Sequence, residues 1–301
     1  RRAISITRAR EARSGFTYDE AQDAMINTAT GEVYPANNDD GAFINATTGQ
    51  RLNPGWTVGV GFSNYVKLLT DQTIRESFLP ILLWTFAFAI LTTFLNFSLG
   101  LALALILQER RMRGKGIYRV LLIIPYGLPV ILTALVWQGM LNQDFGIINQ
   151  LLGGANIDWL QTQTEGGYWL ARGALLLVQL WLGFPYMFLI ATGALQALPN
   201  DIKEAAKVDG AGPLRTWLSV TGPLVLITTA PMLIASFAFN FNNFSLIYML
   251  TQGGPRFGDT SAPIGATDLL ITMAYSVSGV DGNAPKNYGL ASALSIMIFV
   301  L

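Results

Sequence analysis

The sequence predicts an all-α membrane protein: a polytopic bundle of transmembrane helices with a small polar lobe near its N-terminal end. Three observations predict it. Four long apolar runs contain no Asp, Glu, Lys or Arg. Charged residues make up 13% of the 301 residues, against about 25% in an ordinary soluble domain. The residues before the first run have a different composition, polar and rich in Gly, Asn, Thr and Asp.

Composition also excludes several chemistries. With no Cys and no His, the chain has no disulfide, thiolate nucleophile, His-based triad or zinc-protease motif. Nineteen basic residues balance nineteen acidic ones, which argues against a nucleic-acid partner. Gly114-Lys115 lacks the upstream Gly and the following Ser/Thr of a P-loop. No catalytic residue and no metal ligand set is expected. The chain opens on Arg1-Arg2 and stops inside an apolar run at Leu301, so it reads as a segment of a longer protein with spans missing at both ends.

Residues 1–77 form the polar segment and its approach to the membrane; residues 78–301 form the membrane domain. Ile26-Asn27-Thr28-Ala29-Thr30-Gly31 and Ile44-Asn45-Ala46-Thr47-Thr48-Gly49 echo one another, and each is followed by a Pro (Pro35, Pro54). The pattern predicts two similar β-turn units, with a loosely ordered loop as the alternative. Trp56 and Tyr65 suit the membrane interface.

The apolar runs are Leu79 to Leu107, Val120 to Leu141, Gly173 to Leu198 and Pro223 to Leu250, and a fifth begins near Tyr288. Each complete run can cross a hydrocarbon core, which takes about 20 helical residues. The loop after the first run holds Arg110, Arg111, Arg113, Lys115 and Arg119. Such a basic cluster in a short loop is expected on the cytoplasmic side. Lys203, Lys207 and Arg215 then fall on the same side, and residues 1–77 lie outside. Arg1, Arg2, Arg8, Arg10 and Arg13 run against the charge rule, but long external segments translocate largely regardless of charge.

In the second run Pro125, Gly127 and Pro129 predict an interrupted helix beside Tyr126. In the third, Gln179, Leu182, Gly183 and Tyr186 stand at i, i+3, i+4 and i+7 and share a face. Pro185 predicts a kink or break there. In the fourth, Ser236, Asn240 and Asn243 recur at i, i+4 and i+7. Amides at membrane depth either face a polar cavity or bond neighbouring helices, and spacing alone does not choose. Phe237, Phe241, Phe244 and Tyr248 form an adjacent aromatic stripe. Amides beside rings suit a carbohydrate, whose hydroxyls need polar partners and whose C–H faces need rings.

Residues 199–222 carry a mechanism. Asp201 and Glu204 read as a capping-box variant opening a helix. Gly210 and Gly212 stop it, and Pro213 starts a second short helix. Gly222-Pro223 ends that helix and opens the next span. The product is a bent cytoplasmic lever tied to two spans. Ala205 and Ala206 allow close approach by a partner, and Glu204 offers it a carboxylate.

Glu204-Ala205-Ala206, Asp209-Gly210-Ala211-Gly212-Pro213 and Gly222-Pro223-Leu224 resemble the EAA loop of ABC importer permeases. Within that family, residues 118–126, 181–187, 235–244, 251–255 and 288–291 are similar to the maltose/maltodextrin type. The resemblance covers roughly residues 56–301. It implies a type I ABC importer permease bundle in the bacterial plasma membrane, translocating maltose/maltodextrin-like oligosaccharides. It assigns sugar contacts to Tyr126, Gln179, Leu182, Gly183, Tyr186, Ser236, Asn240 and Asn243, and ATPase coupling to Glu204, Ala205, Ala206, Asp209 and Gly210. Two positions depart from the family's pattern: Gln179 stands where an Asn is expected and Val130 where a Ser is expected. The resemblance further implies a second, MalG-like permease subunit, a MalK-like ATPase dimer that binds the ATP and Mg, and an extracytoplasmic sugar-binding protein. The chain itself is then no enzyme, carries no cofactor, and contacts membrane lipid and no nucleic acid.

Other readings are weaker. An ion-driven transporter normally places an ionisable group inside a span, and an intramembrane enzyme needs a reactive constellation; the runs contain neither. Trehalose, another oligosaccharide or a glycerol-phosphate ester are alternative cargoes. The absence of basic residues in the pathway disfavours the phosphate ester.

Overall fold

The computed structural model describes residues 2–5, 8–10, 15–70, 72–109, 112–161, 167–257, 264–280 and 287–300. Arg1, Arg13, Arg110, Arg111 and Leu301, on which parts of the orientation and span reading rest, lie outside the described residues. The chain divides into two compact units, Arg1–Asn64 and Tyr65–Leu301.

The first unit is all β. A hairpin joins β1 (Arg2–Ser5) to β2 (Arg8–Arg10). A separate four-stranded antiparallel meander runs β3 (Phe16–Asp19), β4 (Ala24–Asn27), β5 (Val33–Asn37) and β6 (Ala42–Phe43). The predicted turn repeat is real, and the structure adds a third copy at Asn37–Gly41. In each, the Asn Oδ1 accepts from the backbone N–H groups two and three residues on. Its carbonyl accepts from a Gly at i+4, Gly31, Gly41 or Gly49. All three glycines have positive φ, where L side chains are disfavoured. The turns face both ends of the meander, so they are hairpin connections and not a stacked repeat. Tyr34 is the buried centre; its single hydroxyl proton has two acceptors within reach, Glu32 Oε2 at 3.1 Å and Gln50 Oε1 at 3.2 Å. Burial and then the Glu32 bond raise the pKa of this phenol.

The second unit is helical: α1 (Ser63–Thr70), α2 (Gln72–Gln108), α3 (Lys115–Ile123), α4 (Val130–Met140), α5 (Ile147–Leu151), α6 (Gly167–Ala197), α7 (Asn200–Val208), α8 (Pro213–Thr216), α9 (Gly222–Phe241), α10 (Phe244–Leu250), α11 (Leu270–Ser278) and α12 (Tyr288–Val300). Among the described residues three segments, Ser77–Gln108, Tyr168–Ala197 and Pro213–Phe241, are long and apolar enough to cross a membrane. The pair Lys115–Gly127 and Val130–Met140, bent by 95°, makes a fourth if its halves count as one span.

The long α2 is the spine, packed along α6 and α9. Its crossing with α6 is very close. A Cβ on Gly100 would stand 2.5 Å from the Phe188 nitrogen and 2.9 Å from the Met187 Cβ. One turn back along α2, Asn96 lies against Gly183, where any Cβ would collide with the Asn96 amide. Apolar side chains fill the bundle on either side of this crossing. Phe97, Leu107, Phe188 and Val225 form one cluster, and Trp84, Phe88, Leu175 and Leu246 another. A third joins Ile81, Leu270, Met273 and Leu294.

The structure corrects several sequence expectations. The third span starts at Gly167 and so includes Arg172, whose guanidinium lies 4.6 Å from the Trp84 ring and 5.1 Å from the Trp169 ring. Of the kink or break expected at Pro185, the break does not occur: α6 is continuous for 31 residues with Pro185 inside it. One missing N–H removes one hydrogen bond, and α2 clamps the helix at Gly183 and Met187, on both sides of the proline. Conversely, the fourth run is broken. Helix α9 ends at Phe241, and α10 begins at Phe244 with Asn243 as its N-cap, accepting from Leu246 N at 3.4 Å. Asp201 lies inside α7, whose N-cap is Pro199. Gly222-Pro223 does not end a helix either. A π turn over Trp217–Thr221 carries α8 into α9, with Gly222 N bonded to the Trp217 carbonyl. That wide turn absorbs the bond Pro223 cannot make.

Candidate functional site

A cavity of about 770 Å³ lies where α6, α9, α10 and the broken second span converge. All eight residues expected to contact sugar line it: Tyr126, Gln179, Leu182, Gly183, Tyr186, Ser236, Asn240 and Asn243. Val130 lines it too, and no Asp, Glu, Lys or Arg is among its described lining residues.

Helix breaks place two of these side chains. The chain tightens into a 3₁₀ turn over Ile124–Gly127 and then extends at Leu128 and Pro129. Pro at 125 suits the first turn of that element, and Pro129 has no N–H to continue it. The turn holds the Tyr126 ring stacked on that of Tyr186, with centroids 5.8 Å apart and planes 18° from parallel. The Tyr186 hydroxyl reaches Met232 Sδ at 3.7 Å.

A chain of amides also lines the cavity. Gln179 Nε2 donates to Asn240 Oδ1 at 2.8 Å. Asn243 Nδ2 donates to Gln179 Oε1 at 3.2 Å. Asn240 Nδ2 donates to the Ser236 carbonyl at 2.8 Å and lies 3.3 Å from Ser236 Oγ. Gln179, Asn240 and Asn243 are 6%, 2% and 6% exposed. The two readings left open by spacing are therefore both physical: the amides bond across helices and also line the cavity. A primary amide has two N–H donors and two acceptor lone pairs. After these bonds Gln179 and Asn243 each keep an uncommitted amide hydrogen, and the three oxygens keep lone pairs for a ligand.

The aromatic stripe does not survive as one surface. Phe237 and Phe241 pack on Phe86, and Tyr248 packs on Tyr275 and Phe244. Only Phe244 of the four lines the cavity, because the break at Asn242–Asn243 turns α10 away from the helical phase of α9. Phe239, Asn242, Ser245 and Asn96 line it without having been singled out from sequence. Asn96 had a legible signal, as the one amide side chain in the apolar run Leu79–Leu107.

The second candidate region is the bent lever. Helix α7 ends in a Schellman motif: Ala211 N bonds the Ala206 carbonyl at 2.9 Å and Gly210 N bonds the Lys207 carbonyl at 3.0 Å. Gly210 takes φ 73°. Glu204, Ala205 and Asp209 are exposed. Ala206 is 8% exposed and turns into the chain's own fold. Val208, Leu214 and Leu218 are 87%, 71% and 64% exposed, so the lever shows an open, partly apolar surface beyond Glu204.

Comparison with known proteins agrees with this architecture. The family described as binding-protein-dependent transport system inner membrane component matches residues 96–301. The chain is 40% identical over 285 residues to the maltose/maltodextrin transport system permease protein MalF of Escherichia coli (strain K12), covering 92% of this chain and 54% of the relative. It is 40% identical over 293 residues to the protein of the same description from Salmonella typhimurium, covering 94% and 56%. The chain spans about half the length of the curated relatives it matches. Among solved structures it is similar to a bacterial ABC transporter involved in the import of the acidic polysaccharide alginate, with a TM-score of 0.65 at 19% identity, covering 82% of this chain and 80% of that one. The bacterial alginate transporter in complex with its pentasaccharide-bound periplasmic protein gives 0.63 at 20%, covering 80% and 78%. That likeness shows a shared fold, the helix bundle of ABC importer permeases.

Proposed function

The chain belongs to the binding-protein-dependent transport system inner membrane component family, and from that premise we propose that it is the transmembrane permease part of an ATP-driven importer of maltose/maltodextrin-like oligosaccharides. It is a multi-pass membrane protein. The observation that carries the cargo is the uncharged cavity lined both by the Gln179–Asn240–Asn243 amide chain and by the Tyr126–Tyr186 ring pair. A neutral polyol needs donors and acceptors in register, and rings on which to lay its C–H face. The wall offers both and presents no charge that would need a counter-ion.

Transport needs partners. A second permease subunit of the MalG kind would complete the pathway, and a MalK-like ATPase dimer would hold ATP and Mg. One ATPase would grip the exposed Glu204–Asp209 surface. An extracytoplasmic sugar-binding protein would deliver cargo on the side of residues 1–77, whose external position is the reading that the basic residues between α2 and α3 support. ATPase closure would push the lever and, through the continuous α8–α9 segment, tilt the Ser236–Asn240 wall of the cavity. Sugar can bias that motion only through contacts that differ between the two states.

The test is ATPase stimulation of the reconstituted transporter, built on the full-length subunit with its binding protein, across maltose, maltotriose, trehalose and sucrose. Stimulation by maltose and maltotriose is expected. Stimulation by none of the four, with an intact complex, would sink the reading.

A further inference from the structure

We propose that Asn96 is a further cargo-contacting residue, and that Gly183 is a glycine so that this amide can reach the cavity wall. The proposal rests on the sugar-permease reading above and names one more group in the same site.

Two threonine hydroxyls on α2 are committed, whereas Ser77 Oγ and Thr93 Oγ1 on the same helix are buried without a partner but lie off the cavity wall. Thr85 Oγ1 donates to the Ile81 carbonyl at 2.8 Å and accepts from Leu270 N at 3.1 Å. Thr92 Oγ1 donates to the Phe88 carbonyl at 2.6 Å. Asn96 differs: it is 2% exposed and its Oδ1 is buried without a hydrogen-bond partner. Of the buried unpartnered side-chain atoms among the described residues, only this one belongs to a residue on the wall of the 770 Å³ cavity.

A buried polar oxygen without a partner is costly, and it costs more at membrane depth, where bulk water is absent. Packing alone does not account for it, because an apolar side chain of similar size would fill the gap against Gly183 without that cost. The surroundings instead match a hydroxyl ligand. The same wall carries the Gln179–Asn240–Asn243 chain, and Gly183 lies one helical turn from Gln179 on α6. The last torsion of an Asn side chain is broad, so Oδ1 can turn toward the cavity with no change of backbone. A sugar O–H donating to it would remove the unsatisfied acceptor, and an analogue without that hydroxyl would leave it orphaned. Asn96 therefore reads the presence of one particular hydroxyl.

The experiment uses the assembled transporter with full-length subunits and its sugar-binding protein. Transport and stimulated ATPase activity are measured for maltose and for a panel of monodeoxymaltoses, with wild type, Asn96→Ala and Asn96→Ser. Complex assembly is followed by co-purification. With assembly intact, Asn96→Ala is expected to raise the apparent KM for maltose about tenfold, the worth of one hydrogen bond. One deoxy analogue transported poorly by wild type should lose that penalty in Asn96→Ala, and Asn96→Ser, which keeps an acceptor oxygen, should recover part of the affinity. An unchanged maltose KM in Asn96→Ala, or an unchanged deoxy profile, overturns the proposal while leaving the permease reading in place. Loss of assembly in both variants assigns Asn96 to helix packing and overturns it as well. If wild type itself shows no sugar-stimulated activity, the functional reading fails and takes this proposal with it.

Discussion

Gln179 Nε2 donates to Asn240 Oδ1 across 2.8 Å, joining α6 to α9 at a position where both side chains are buried. This bond makes the cavity wall a single hydrogen-bonded surface, because Asn243 extends it to α10 and Ser236 anchors its other end. Removing an inner member such as Asn240 should therefore disturb ligand recognition more than folding. Asn240→Ala removes the acceptor of Gln179 Nε2 and the amide donor to the Ser236 carbonyl, a loss of about 1–3 kcal/mol. The expected result is roughly a tenfold to hundredfold weaker sugar dependence of transport, with complex assembly unchanged. Loss of assembly with sugar affinity retained would instead make the chain interhelical glue.

Gly100 and Gly183 are both close-approach glycines, yet their substitutions should behave differently. A Cβ at Gly100 meets backbone and Cβ atoms of Phe188 and Met187, which cannot move without separating α2 from α6. Gly100→Ala should destabilise the bundle by about 1–3 kcal/mol, the usual cost of overpacking. A Cβ at Gly183 meets first the end of the Asn96 side chain, which can swing aside. Gly183→Ala should thus leave thermal stability in detergent nearly intact while altering transport. Equal losses of stability in the two variants would contradict this assignment.

The spans and the site were legible for different reasons. Charge-free runs reveal burial in lipid whatever the tertiary packing, so the first and third spans were found to within a turn or so. Side-chain spacing placed Gln179, Gly183 and Tyr186 correctly, because α6 stays continuous through them. The fourth run misled. Its apolar pattern does not show that the amides at 242 and 243 end a helix, so the phase of Phe244 and Tyr248 was wrong although Asn243 still reached the cavity. Proline was ambiguous in the same way. Pro125 and Pro129, flanking Gly127, break a helix, whereas the single Pro185, clamped by α2, does not. Asn96 is the one amide in its run, so no repeat of amides at helical spacing marks a face there, as Asn240 and Asn243 do in the fourth run.

The β lobe depends on its left-handed turn glycines. Gly41 has φ 64°, and a Cβ there would collide with the Trp56 carbonyl. Gly41→Ala combines that clash with a left-handed penalty of about 1–2 kcal/mol and should make the lobe susceptible to limited proteolysis in the full-length protein. Gly31→Ala, at a turn with nothing within 4 Å, carries the conformational penalty alone and should be milder. The raised pKa of Tyr34 adds a pH dependence. The protonated phenol is favoured in the folded lobe, so its contribution is complete below the ordinary value of 10.0 and is lost as pH rises through the folded value. Lobe protection should fall in alkali, and Tyr34→Phe should flatten that fall. A fall of the same steepness in Tyr34→Phe would remove Tyr34 as the cause.

Arg172 braces the end of the bundle near the start of α6. Its guanidinium contacts the Trp84 and Trp169 rings, and its Nε donates to the Ala266 carbonyl at 2.9 Å. It thereby ties α2 and α6 to the turn before α11. A Lys cannot reproduce a planar group that stacks and donates sideways at once. Arg172→Lys should cost about 1–2 kcal/mol, and Arg172→Met somewhat more through the unpaired carbonyl. Thermal melting of the purified complex, followed by Trp fluorescence, measures both. Equal melting of Arg172→Lys and wild type would mean that charge alone suffices.

Glu204 is the sharpest test of the lever. It is exposed on α7, and the Schellman turn at Gly210 and the π turn at Trp217–Thr221 connect that helix to α9 without a flexible link. A force applied at Glu204 is therefore delivered to the helix that carries Ser236 and Asn240. Because the carboxylate contributes nothing to the chain's own core, Glu204→Lys should leave the melting temperature of the subunit unchanged. If a basic partner groove receives it, charge reversal should abolish ATPase co-purification and sugar uptake together. Glu204→Gln, which keeps the shape and removes the charge, should give an intermediate loss. Gly210→Ala separates docking from transmission: at φ 73° it strains the bend itself, so ATPase should still bind while sugar-dependent turnover falls. Full assembly and transport in Glu204→Lys would remove the lever from the mechanism.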